Sequence, residues 1–213
     1  MSVFNFDTGM IERRGLQSLV IWLYATHMSG LIILVILLAA LLIGAVLIYN
    51  TLVQKRALVQ NGWSDIEVQL KRRADLIPRL VDVVKGYANH ERDLFRDVVA
   101  ARNAALSAGK DVGQRGAAEY NVAAQTPRLL ALKEDYPELK SNENFLQLQD
   151  ELTETEDKIE MARRFYNGAV REMNIKVKSV PSNLIAGPFG FHVQPFFEIE
   201  PADRAAPDVS FDA

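Results

Sequence analysis

Three histidines, His27, His90 and His192, are the only imidazoles available for metal binding or proton transfer, and they fall in separate stretches of the chain. His90-Glu91-Arg92-Asp93-Leu94 opens like the zinc-protease pattern HExxH, in which two imidazoles one helical turn apart hold the metal and the glutamate activates water. Leu94 takes the second ligand position, so the pattern is broken and His90 reads as a bundle or interface residue. Asp150, Glu151, Glu154, Glu156, Asp157 and Glu160 place carboxylates one turn apart on a helix face. Lys158, Arg163 and Arg164 lie among them, and the spacing fits neither an EF-hand loop nor a di-iron Glu-x-x-His pair. A solvated or subunit-pairing face is the expectation. Gly187-Pro188-Phe189-Gly190 lacks the flanking strand, helix and lysine of a phosphate loop, and reads as a tight turn that directs Phe189 and Phe191 inward. No GxSxG elbow occurs, and zero cysteines remove disulfides, thiolate metal sites and thiol nucleophiles together. No catalytic, cofactor or metal site is expected.

The chain of 213 residues carries 24 basic and 27 acidic side chains, a mild acidity that argues against a nucleic-acid partner. The charge is uneven: residues 50–110 hold eleven basic and seven acidic groups, residues 111–213 eleven and eighteen. Helices of opposite sign attract when packed antiparallel, and subunits can do the same.

What must position these residues begins with Leu31 to Tyr49, nineteen residues without a charge, which as a helix cover roughly 28 Å of hydrocarbon. This reads as one transmembrane helix, with the lipid bilayer as a partner. A cleaved signal would have a shorter apolar region, and a buried core helix would show a polar stripe. Arg13 and Arg14 precede the segment, while Lys55, Arg56 and Lys71 to Arg73 follow it, which favours a bundle on the cytoplasmic side of the inner membrane. Residues 1–30 form a separate N-terminal segment in which Met28 is a candidate translation start.

Residues 50–180 carry helical spacing throughout. Leu52, Val59, Trp63, Ile66 and Leu70 form one stripe, and Leu80, Val84, Tyr87, Leu94, Val98, Ala101 and Ala105 a second. Asp75-Leu76-Ile77-Pro78 between them reads as a tight reversal, with a kinked continuous helix as the alternative. Gly109, Gly113 and Gly116 mark a loop, and Tyr120 to Asp135 a third helix that accommodates Pro127. Ser141 or Asn142 caps the longest element, whose apolar positions from Phe145 to Val177 alternate spacings of four and three. The expected fold is all-α: an N-terminal transmembrane helix continuing into an antiparallel four-helix-type bundle.

Pro181 ends the regular structure, and five of the eight prolines lie from there onward. Residues 181–213 form an irregular aromatic tail. Phe189, Phe191, Phe196 and Phe197 need burial, so residues 184–197 are expected to dock on the bundle or on a neighbouring subunit, while residues after Pro201 trail into solvent.

The stretches GWSDIEVQLKRRADLIPRLVDVVKGYANHE, RLLALKEDYPELKSNENFLQLQDELTETEDKIEMARRFYNGAVREMN and PSNLIAGPFGF resemble the LemA family of bacterial membrane proteins over about residues 28–200. The resemblance implies a single N-terminal membrane helix, a bundle of long helices and no established enzymatic activity. Association with a neighbouring membrane protease or other envelope protein is implied as well. Residues 1–27 lack a counterpart in the family. Ala124 to Pro127 interrupts a stretch that the family keeps as smooth helix, so a shorter third helix is expected. Trp63, Asp65, Gln69, Arg72, Arg73, Pro78 and Tyr87 match the first block, and Asn142, Phe145, Glu151, Arg163, Tyr166 and Asn167 the last. By bundle logic Trp63, Phe145 and Tyr166 are core anchors, and Asp65, Gln69, Arg72, Glu151 and Arg163 candidates for interhelical or intersubunit polar networks. The functional expectation is a membrane-anchored, self-associating scaffold or adaptor without a catalytic site. An accessory subunit of a membrane protease or hydrolase is the alternative, followed by an oligomeric channel.

Overall fold

The computed structural model describes residues 8–109 and 111–198, with side chains from His27 onward. The expectation for residues after Pro201, and that for the first seven residues, lie outside the described residues. The described residues are helical throughout apart from turns and the extended tail, with α1 at Thr8–Lys85, α2 at Arg92–Ser107, α3 at Val112–Ala131, α4 at Pro137–Lys140, α5 at Glu143–Lys178 and α6 at Asn183–Ala186. The chain divides into two compact units, Met1–Thr51 and Leu52–Ala213.

In the first unit, the apolar window of α1 is unburied, and side chains such as Leu41 and Leu42 are 71% and 68% exposed. A helix with apolar side chains on every face has no solvent face to offer water, and this one is long and apolar enough to cross a membrane.

The second unit packs the remainder of α1 with α2, α3 and α5. Leu76, Ile77, Leu80, Val84, Leu94, Val98, Val122, Leu129, Phe145 and Leu152 form one buried cluster that takes in the second stripe, and Leu52, Val59, Ile66 and Leu70 of the first are buried as well. The predicted reversal at Pro78 does not occur; α1 runs through it, and the chain turns at Gly86 to Glu91 instead. Proline removes the amide that would bond the carbonyl four residues back. That carbonyl, on Ala74, accepts a hydrogen bond of 2.6 Å from Arg102 Nε on α2, so a remote side chain replaces the missing donor.

The third helix also differs from expectation. It starts at Val112, where the Asp111 carboxylate accepts from the Gln114 amide at 2.8 Å, so Gly113 and Gly116 are helical. Only Gly109, with φ of +69°, makes the turn after α2. Pro127 is carried within α3, which spans 20 residues. α5 begins as read: the Asn142 side chain accepts from the Phe145 amide at 2.9 Å, while its Nδ2 donates to the Tyr87 hydroxyl at 2.8 Å. One asparagine thus caps α5 and ties it to the end of α1. At 36 residues α5 is about 54 Å long.

Candidate functional site

On α1, Ile66, Leu70, Arg73, Ile77 and Leu80 follow one another at spacings of four and three, so Arg73 stands at a core position of the apolar stripe. Its side chain is 1% exposed. Nη1 lies 3.0 Å from both carboxylate oxygens of Glu156 on α5, and Nη2 donates to Glu119 Oε2 on α3 at 2.5 Å. One turn earlier on α3, Arg115 Nε donates to Glu119 Oε1 at 2.8 Å. Two guanidinium groups and two carboxylates form a neutral chain through three helices. Burying a charge without such partners would cost several kcal/mol, and here each buried charge meets a counter-charge. Arg73 Nε and Gln69 Oε1, four residues apart on α1, are the two buried side-chain atoms without a hydrogen-bond partner among the described residues.

A second constellation holds the tail. Along residues 191–197 burial has a period of three: Phe191 and Phe197 are buried, Gln194 is half-buried, and the residues between are exposed. Asn174 on α5 accepts from the Gln194 amide at 2.7 Å and donates to the Gln194 carbonyl at 2.9 Å. Asn167 makes the same pair with Phe197, at 2.9 and 3.1 Å. The spacing is what allows this. Seven residues of α-helix rise about 10.5 Å, and three residues of extended chain span about 10 Å, so two side-chain amides two turns apart meet tail residues three apart.

Between the two clamps the Tyr166 hydroxyl donates to the Pro195 carbonyl at 2.9 Å. Trp63 on α1 packs its ring 5.6 Å from Tyr166 and, edge-on, 5.4 Å from Phe197. The Arg56 guanidinium lies 4.8 Å over the Phe191 ring, a cation–π contact. Gly116 on α3 admits the Glu198 carbonyl where a Cβ would collide with it. That approach is why the third helix carries a glycine in its second turn.

The predicted anchors Phe145 and Tyr166 are buried, and Trp63 is half-buried in the tail groove. Within the expected span 184–197, residues 191–197 lie against the helices while Leu184 and residues 187–190 are exposed, and the inward turn of Phe189 is not found: Phe189 is 60% exposed and Phe196 42%. Both lie off the threefold repeat that carries Phe191 and Phe197 inward. Of the polar candidates, Arg72 and Glu151 line one open groove of about 320 Å³, and Arg72 lies 3.9 Å from Glu154. Glu151 accepts from Gln147 on its own helix, Asp65 is exposed and Arg163 half-exposed. Pro78 and Tyr87 are half-buried at the α1 end already described. Sequence reasoning set Arg73 beside the exposed Lys71 and Arg72, although its place in the stripe was the available signal. Asn174 carried none.

Titration is displaced where ion pairs form. Lys158 beside Glu154, Arg164 beside Glu160 and Lys55 beside Glu172 hold those carboxyls below the ordinary glutamate value, by hydrogen bonding first and charge second. Burial pushes the Tyr166 phenol upward. Among the described residues no group of three His, Asp or Glu side chains is arranged to hold a metal ion.

The LemA family description matches residues 62–211. Similar curated proteins include Magnetosome protein MamQ 1 and Magnetosome protein MamQ 2 of Paramagnetospirillum magneticum, each 28% identical over 72% of this chain. Protein LemA of Metamycoplasma hominis is 24% identical over 76% of this chain and 74% of its own length. The match spans 66% of the length of the two MamQ relatives, just under two thirds. The matched residues take in most of the chain, with the whole arginine network and every groove residue but Arg56, and the chain belongs to the LemA family.

Proposed function

We propose that this protein is a membrane-anchored scaffold or adaptor of the bacterial cell envelope that self-associates through its helical bundle and has no catalytic site of its own. The observation that carries the reading is where the polar side chains go. The buried charges of the Arg73 network are neutralised across three helices, and the clamping amides of α5 are engaged with tail backbone. The carboxyls with displaced titration are held in their ionised form by cations, the opposite of the raised value a general acid needs near neutral pH. The chemistry of the bundle is thereby spent on holding helices in register.

Anchoring through Leu31 to Tyr49 leaves the bundle on the cytoplasmic face of the inner membrane, by the distribution of Lys and Arg around the segment. The MamQ relatives are by name magnetosome proteins, and we carry over to this chain a role as one component of a larger assembly. The opposite charges of residues 50–110 and 111–213 supply a long-range attraction between copies. Light scattering of the full chain in mild detergent, corrected for bound detergent, tests the reading. A mass of several chains at micromolar concentration is expected, and a mass of one chain refutes self-association.

A further inference from the structure

Resting on that reading, we propose that the groove formed by α1, α3 and α5 is a receptor for an extended segment with buried aromatics six residues apart, and that in the assembly it takes the tail of a second copy. The groove reads backbone. Asn167 and Asn174 each engage both the amide and the carbonyl of one tail residue, and Tyr166 engages a third carbonyl. Side-chain specificity comes from Phe191 under Arg56 and Phe197 against Trp63.

All of these groove residues lie on the long helices, and none belongs to the connection 187–190 that delivers the tail. That connection is exposed along its whole length, and it reverses through Gly190 at φ +69°. The receptor is therefore complete without the connection, and a tail arriving from a neighbouring chain makes the same contacts. An empty groove would bare the partners of Phe191 and Phe197, so exchange has to be mutual, in pairs or around a ring, with every groove filled. Mutual exchange conserves the docked contacts, which leaves chain concentration and the turn at Gly190 to set the balance. Confinement of the anchors to one bilayer raises the first, and four connecting residues reach at most about 14 Å, which places the donor and acceptor bundles side by side.

The test uses the full chain with p-benzoylphenylalanine at position 196, irradiated in mild detergent, with particle mass measured in parallel. Covalent products of two chains, with junctions joining the tail to residues 56–63 or 163–174, are expected. Asn167→Leu with Asn174→Leu should reduce them severalfold. Gly190→Ala, which disfavours the returning turn, should raise the two-chain share about fivefold. A particle of several chains whose tail–groove crosslinks all stay within one chain overturns tail exchange and leaves self-association standing. A particle of one chain overturns both.

Discussion

Replacing Arg73 with methionine keeps most of its volume and removes its charge. Glu119, 4% exposed, then retains Arg115 on one carboxylate oxygen and loses its partner on the other. Breaking a buried pair by removing one member costs about 3 kcal/mol. Glu119→Leu strands the 1% exposed guanidinium with Glu156 alone, at a similar cost of about 3 kcal/mol. In the double variant neither buried charge remains, because Arg115 and Glu156, 14% and 37% exposed, keep access to water. Its loss should be about 3 kcal/mol and not the sum of about 6, a coupling of about 3 kcal/mol. Urea titration of the full chain in mild detergent, followed by helical circular dichroism, reads each term. With a slope of about 2 kcal/mol per molar, each single substitution lowers the midpoint by about 1.5 M. Single losses below about 1 kcal/mol, or strict additivity, would refute the account of Arg73 as a neutralised core charge.

Gly168 has open space where a Cβ would stand, whereas a Cβ on Gly62 would lie 3.1 Å from the Tyr166 Cα. Gly168→Ala should therefore stabilise by about 1 kcal/mol through helix propensity, and Gly62→Ala should lower the urea midpoint instead. The ion pair of Lys55 with Glu172 depresses the Glu172 pKa, so its contribution is present above the unfolded value near 4.5 and is lost as pH falls through the folded one. Glu172→Gln should then differ from the native chain at pH 7, with the two midpoints converging towards pH 3; a constant difference would contradict this. Asn89→Cys puts a single thiol on the exposed α1–α2 turn of a chain without cysteines. An impermeant maleimide should label it only after cell lysis, and labelling of intact cells would place the bundle outside.

How far the sequence carries depends on whether a signal is local. The cap at Asn142 and the apolar spacing of α5 are written within a few residues of where they act, and both are found in place. Pro78 misleads because its remedy is remote: Arg102, 28 residues beyond Ala74, supplies the donor to the carbonyl that the proline leaves free. Gly113 and Gly116 read as loop on propensity alone, while the helix start is fixed by Asp111 and the need for Gly116 by Glu198, far along the chain. The tail's threefold repeat was hidden behind a count of phenylalanines, two of which belong to its exposed faces.

The polar ties also answer a problem that long helices create. An apolar seam at spacings of four and three repeats every seven residues, so a slip of one heptad, about 10.5 Å, leaves leucine facing leucine and changes hydrophobic burial little. The Arg73 network and the Asn142–Tyr87 bond do not repeat; each is satisfied in one register and broken in the next. Removing the network from the seam should then cost uniqueness. Combining Arg73→Met and Glu119→Leu with Tyr87→Phe removes both locks. The helices should remain by circular dichroism, while amide resonances of the bundle broaden and multiply as registers interconvert. A single sharp set of resonances from that variant would mean that apolar packing alone fixes the register.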